Sequence, residues 1–311
     1  MPAHGIMFHH FHDELDHAPS QGSIDADQLA RLINSIGRAR ILSAMEFLDR
    51  ALSNRLHEHH VCLTFDDNLM CQYDVAVPVL EEFGITAFWF IYTSVMQGNI
   101  ERLEVYRHFR TTMFPQVDDF YAAFFVHANE TRFGRRVDAA MRSFNPDEYL
   151  KAFPFYTKAD KRFRFVRDEV LGPDSYAMVM DTMIKDSGYD IRRIAQDLWM
   201  TNIEVRSLHQ AGHVIGMHSH THPTRIERFS EDEQRYEYRS NFNHLTSVLG
   251  EPPLTMSHPC NSYSSQTLEL LKSLGIKLGF RANMQGDGRF GPLETPREDH
   301  ANLIRQLKLA A

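Results

Sequence analysis

HVCLTFDD, residues 60–67, runs a β-branched apolar stretch straight into two acids. The run is short and apolar on both parities, the pattern of a strand buried on both faces in a parallel sheet that helices cover. Its neighbours repeat the theme. YDVAVPVLEEFG (73–84) reads as a helix stopped by Gly84, and ITAFWFIY (85–92) as a second buried strand. Upstream, GIMFHHF (5–11) reads as the first strand. A helix then opens with Asp25 three residues before Gln28, buries Leu29, Leu32, Ile33 and Ile36, and stops at Gly37. A second helix starts at Ser43, with Glu46 in the capping position.

The same grammar returns late in the chain. Thr201 with Glu204 opens a helix that ends at Gly212, and HVIGMHSH (213–220) follows as a strand. Ser230 with Glu233 opens a long helix closed by Gly250. LTMS (254–257) reads as a strand, SQTLELLKSLG (265–275) as a helix, IKLGFR (276–281) as a strand and EDHANLIRQLKL (298–309) as a last helix. Alternation of this kind predicts an α/β fold, a parallel sheet rolled into a barrel with its helices outside. Between the two blocks, over 97–196, the rhythm breaks. Half of the 22 phenylalanines fall there, in amphipathic stretches such as the one holding Phe120, Tyr121, Phe124 and Phe125. So many rings need burial, which predicts a packed helical insertion serving as a cap, with a lid or a dimer surface as the other reading.

A net charge of −8 excludes nucleic acid and an anionic membrane as the main partner. No run of about 18 apolar residues offers a transmembrane span. Three cysteines, Cys62, Cys71 and Cys260, make no disulfide framework and fit a reducing compartment. MPAHGIMFHH has neither a basic nor an apolar segment of a secretory signal. The expected location is cytoplasmic, with association of copies left open.

Histidine is the outlier, with 18 copies clustered in HHFH (9–12), HEHH (57–60) and HSHTH (218–222). His218, His220 and His222 share one side of an extended chain, and His218 and His222 also share one side of a helix. Either way His218 and His222 can grip one ion at the carboxyl end of a strand, where α/β sheets gather their ligands. Asp66 and Asp67 end another such strand. Two imidazoles and one carboxylate are a common protein ligand set that leaves a position open on Zn²⁺.

LTFDD (63–67), GHVIGMHSHTHP (212–223) and MSHPCNSYSSQTLELLKSLGIKLGF (256–280) together resemble successive motifs of the NodB-homology polysaccharide deacetylases, carbohydrate esterase family four. The resemblance covers 1–96 and 197–311. It implies a distorted (β/α)7 barrel that removes acyl groups from sugars with one divalent transition metal, Zn²⁺ first and Co²⁺ or Ni²⁺ after it. It implies Asp66 as general base, Asp67, His218 and His222 as metal ligands, and a backbone N–H near Cys260 for the developing oxyanion. A bound cation also makes two adjacent ionised acids tolerable.

The third motif departs from the family. Its usual arginine is absent, Ser257, Pro259, Cys260 and Asn261 standing in that stretch, and Arg281 or Arg297 is expected to replace it. The motif that supplies a histidine acid is blurred: His300 is the first candidate for protonating the departing amine, His258 the second. His10 and His12 are expected to line the pocket and Cys260 to form its wall. The implied activity is removal of an acetyl or formyl group from the nitrogen of an amino sugar, a nucleotide-linked or lipid-linked precursor of a surface polysaccharide. Rival readings are hydrolysis of a non-sugar amide or cyclic imide, a binuclear amidohydrolase built on the His-x-His spacing, and a degenerate member that binds sugar or metal without turnover.

Overall fold

The computed structural model describes residues 2–150, 156–286 and 291–307. It divides into one unit made of Met1–Glu101 with Gln196–Ala311 and a second made of Arg102–Ala195.

The first unit carries seven parallel strands: β1 His4–Phe8, β2 Val61–Asp66, β3 Phe88–Ile91, β4 Val214–Met217, β5 Thr255–Ser257, β6 Leu278–Phe280 and β7 Arg297–Asp299. Their order is β6-β5-β4-β3-β2-β1-β7, and a parallel bridge from Phe280 to Thr295 all but closes the ring. Alternation sorts β2 into two layers. Leu63 and Phe65 face outward into the layer under the helices, where Phe65 stacks between Phe8 at 5.2 Å and Trp89 at 4.3 Å. Cys62 faces inward with Phe88, Phe90, Val214, Leu278 and Phe280, and Phe47 of helix Ala44–Leu52 joins that inner cluster. The interior is packed with side chains, as small barrels require. Thr64 and Asp66 continue the inward parity of Cys62, so β2 delivers Asp66 to the carboxyl end of a filled barrel.

The helix signals read from local chemistry correspond to observed caps. Asp25–Gln28, Thr201–Glu204 and Ser230–Glu233 form reciprocal capping boxes, and Ser43 accepts from the Glu46 N–H. Strand ends differ from expectation. The first strand stops at Phe8, not at Phe11, and the strand expected to reach His220 stops at Met217. The last helix begins at His300, because Arg297–Asp299 pairs with β1 as the seventh strand. The helix after the two acids starts with a π-helical turn, Gln72–Ala76, before the regular stretch Val77–Glu82.

The second unit is helical among its described residues. Phe120, Tyr121, Phe124, Phe163 and Tyr176 pack a shared aromatic core, with ring centroids 4.9–6.1 Å apart for Phe163 against Tyr121, Phe120, Phe124 and Tyr176. Phe125 lies at the edge of that core under the Arg162 guanidinium. The aromatic run at 152–155 and the predicted helix end at 308–309 lie outside the described residues.

One buried imidazole makes the barrel acid-sensitive. His213, just before β4, accepts the Ala87 N–H at its Nδ1 (3.0 Å) and meets the Trp89 ring edge-on. Burial pushes it down from 6.5 to about 4. The unfolded chain therefore binds the extra proton between those two values, and stability falls as pH drops through that window. The expected loss from this group approaches about 3 kcal/mol at the lower end. Urea titrations from pH 7 to pH 4 should show a shallower slope against pH in His213→Gln.

Candidate metal centre and its surroundings

Asp66 is the last residue of β2 and is fully enclosed. Arg297, the first residue of β7, reaches along the barrel interior and grips it as a fork, NH1 to Oδ1 at 2.6 Å and NH2 to Oδ2 at 2.7 Å. Gly5 lies opposite Arg297 in the register, and a Cβ there would lie 2.9 Å from Thr64 Cγ2 and 3.0 Å from Arg297 Cγ. Glycine leaves the lane that the arginine fills. Ser257 Oγ accepts from Arg297 at 2.7 Å and donates to Asp66 Oδ2 at 3.2 Å. Burial works to raise the Asp66 carboxyl, but the Arg297 charge, with His218 and His9, outweighs it and holds the group below its ordinary value.

Asp67 leaves the strand in a left-handed conformation (φ 76°), a strained geometry for a non-glycine residue. The turn swings its carboxylate toward the loop after β4. There Asp67 Oδ1 lies 3.4 Å from His218 Nε2 and 3.3 Å from His222 Nε2. Ligand atoms of these three residues all lie within 4.8 Å of one another, and no other such group occurs among the described residues.

The donor set fits a divalent cation on three counts. Asp67 Oδ1 is buried and accepts no hydrogen bond. Ligands about 2.0–2.2 Å from a tetrahedral zinc stand roughly 3.3–3.6 Å apart, close to the spacing seen here. His218 Nδ1 faces the Ser257 carbonyl at 2.9 Å, so that nitrogen carries the proton and Nε2 keeps its lone pair for the site. Burial opposes ionisation of Asp67, yet His222, His218 and His9 hold its carboxyl far below the usual range.

The loop bearing the imidazoles is neither strand nor helix. Ser219 and His222 are left-handed, at φ 64° and 55°. Helix Glu231–Leu249 fixes it from outside. Glu237, buried, accepts the His220 N–H at 2.9 Å, the Thr221 N–H at 2.8 Å and the Thr221 hydroxyl at 2.6 Å. One turn on, Asn241 Oδ1 accepts the His218 N–H at 3.2 Å while its amide donates to the Ile91 carbonyl at 2.9 Å. Glu237→Gln replaces one of the two oxygens that serve these three donors with an NH2 group. It is expected to weaken Zn²⁺ binding about 10–100-fold in chelator competition, while the far-ultraviolet circular dichroism stays unchanged.

Other expected site residues lie elsewhere. His300 sits on the outer side of β1, stacked on Phe8 at 5.2 Å, with Nδ1 on the Met7 carbonyl (3.1 Å) and Nε2 on the Gly22 carbonyl (3.0 Å). The inward carboxylates face the other side of the sheet, so the expectation that His300 meets them is corrected. His258 is buried against Tyr263 with Nε2 on the Leu293 carbonyl, and burial pushes it down to about 3, leaving it neutral. Arg281 turns its side chain to Asn283 Oδ1, and its carbonyl accepts from Arg297 Nε, so the fork on Asp66 comes from Arg297. His12 pairs with Ser23, 2.9 Å away, and His10 stacks beside His9. Cys260 is exposed as a residue, yet desolvation of its thiol and the carboxylates of Asp67, Glu101 and Asp66 push it up to about 12, so it stays protonated. His220 points at Thr93 Oγ1 (3.0 Å) and Tyr236, away from its two neighbours in the motif, which removes the third imidazole that a binuclear site needs.

Besides His218 and His222, a third imidazole stands beside the acids, that of His9. Its Nε2 lies 3.9 Å from Asp66 Oδ2 and 3.9 Å from Asp67 Oδ2. The register could have found it: Phe8 pairs with Phe65, so His9 follows opposite Asp66 on the inward parity of Gly5 and Met7. The expectation that His10 and His12 line the pocket took the side of the strand shared with Ile6 and Phe8, which packs outward.

Comparison with known proteins follows the same lines. The family model described as polysaccharide deacetylase matches residues 181–279, taking in His218, His222 and Ser257 and stopping short of the two acids. No curated protein sequence matches the chain. Among solved structures, the Streptococcus pyogenes deacetylase PplD in complex with acetate is 16% identical at a TM-score of 0.55, over 96% of this chain and 92% of that one. A de-N-acetylase from Aggregatibacter actinomycetemcomitans is 12% identical at 0.57, over 99% and 100%. IcaB from Ammonifex degensii is 12% identical at 0.55, over 99% and 96%. At these identities the likeness is one of fold.

Proposed function

We propose that this chain is a divergent NodB-homology polysaccharide deacetylase with a helical insertion, and that it hydrolyses the N-acyl group of an amino sugar with one divalent metal. The observation that carries the reading is the convergence of Asp67, His218 and His222 beside a second carboxylate, Asp66, that is clamped and ionised. A cation held by Asp67, His218 and His222, Zn²⁺ before Co²⁺ or Ni²⁺, supplies Lewis acidity to an acyl carbonyl and makes a water acidic enough to react near neutral pH.

The chain's own groups do the proton work. Asp66 takes the proton from the attacking water, and Arg297 and Ser257 hold its oxygens in place while it does so. His9, the imidazole beside both carboxylates that the candidate ligand set leaves over, hands a proton to the departing amine nitrogen. One proton is accepted and one delivered, so the pair balances the cleavage of a C–N bond. Acetyl is favoured over formyl by the de-N-acetylase among the structures of similar fold. The narrower substrate reading is a nucleotide-linked or lipid-linked amino sugar destined for a surface polysaccharide.

Zn²⁺-loaded protein should release acetate from at least one of UDP-N-acetylglucosamine, a polyprenyl-diphosphate N-acetylglucosamine and an N-acetylated chitooligosaccharide. Failure to release acetate from all three, and formate from the N-formyl analogues, overturns the proposal.

A further inference from the structure

Gln72 follows Asp66 by six residues, in the π-helical turn Gln72–Ala76, and is fully buried. Its amide nitrogen donates twice, to the Asp66 carbonyl at 2.5 Å and to the His9 carbonyl at 2.7 Å. These are the two residues that stand one step beyond the Phe8–Phe65 pair with which the β1–β2 register ends. Asp66 is held independently, by its pairing with Phe90 and by the Arg297 fork. His9 lies past the end of its strand, and Gln72 ties its backbone to that of Asp66. The amide oxygen of Gln72 is buried and accepts nothing. An unanswered buried acceptor is unfavourable, so stability alone does not select glutamine here.

We propose that Gln72 is a positioning residue that fixes the separation of His9 from Asp66, and with it the alignment of proton donor and proton acceptor across the reacting bond. The inference rests on the reading of His9 as the donor. Misplacing a reacting group by about 1 Å can cost about a hundredfold in rate.

The test compares Gln72→Met, which keeps the bulk and removes both N–H donors, with Val75→Ala, a buried change in the same turn that touches neither carbonyl. Two probes are used, an N-acetylated chitooligosaccharide and 4-nitrophenyl acetate. The amide needs its leaving nitrogen protonated, whereas nitrophenolate departs unaided. Gln72→Met should lower kcat on the amide about 10–100-fold with KM within about threefold, and should lower the amide-to-ester ratio at least about tenfold. Val75→Ala should lose thermal stability and keep that ratio. In a His9→Gln background, Gln72→Met should cost no more than about threefold further, because it acts through a group already gone. Zn²⁺ affinity by chelator competition should stay within about threefold.

An unchanged ratio in Gln72→Met, losses that multiply with those of His9→Gln, or a fall of more than tenfold in Zn²⁺ affinity each overturn the proposal. If His9→Gln itself keeps the ratio, the donor reading fails and Gln72 falls with it, an outcome distinct from a failure confined to Gln72.

Discussion

Arg297→Met is expected to abolish turnover and to cost about 3–5 kcal/mol of folding stability, the loss typical of removing one partner from a buried ion pair. Both partners are enclosed: Arg297 is 0% exposed and Asp66 2%. The fork and Ser257 together account for the two Asp66 oxygens. Without the guanidinium, burial would dominate and drive the carboxyl upward, removing the base at neutral pH. Asp66→Asn in the Arg297→Met background removes the stranded charge, so it should recover much of the stability and none of the activity. Urea midpoints and kcat, measured on all four proteins, separate the two effects. An Arg297→Met protein within 1 kcal/mol of the parent and within tenfold in rate would refute the clamp.

His9→Gln is expected to lose about 10²–10⁴-fold in amide hydrolysis, the range for removing a general acid. Hydrolysis of 4-nitrophenyl acetate should fall only several-fold, since its leaving group needs no proton. The contrast matters because His9 lies 3.9 Å from both carboxylates and its removal could disturb either. A disturbed base or metal site would lower both reactions together. His300→Gln is the matched control: its ring is stacked on Phe8 on the outer side of β1, so it should destabilise without changing the ratio of the two rates.

Local chemistry was legible where the physics is local. A capping box needs only residues three apart to satisfy free N–H groups, so Asp25, Thr201 and Ser230 announced their helices from the sequence. The candidate ligand set Asp67, His218 and His222 was legible through motif resemblance, and the structure brings these three side chains together. Strand length was less so. Whether the chain pairs beyond Phe8 or Met217 depends on what its neighbours offer, and which face of β1 looks inward is decided by packing that the sequence does not display, so His10 and His12 were expected where His9 stands.

The sequence by itself determined the α/β alternation, the helical break in the middle, and a set of acids and imidazoles able to hold one cation, because periodicity, capping and ligand chemistry act over a few residues. Only the tertiary structure decided which arginine meets Asp66, which histidine stands beside it and which remains outside. Those choices follow from register and closure: β7 pairs with β1, so a residue 231 positions away in sequence is brought to hydrogen-bond distance of Asp66. No short-range pattern encodes that meeting. It arises when a ring of strands turns inward-facing side chains, scattered along the chain, toward one enclosed space.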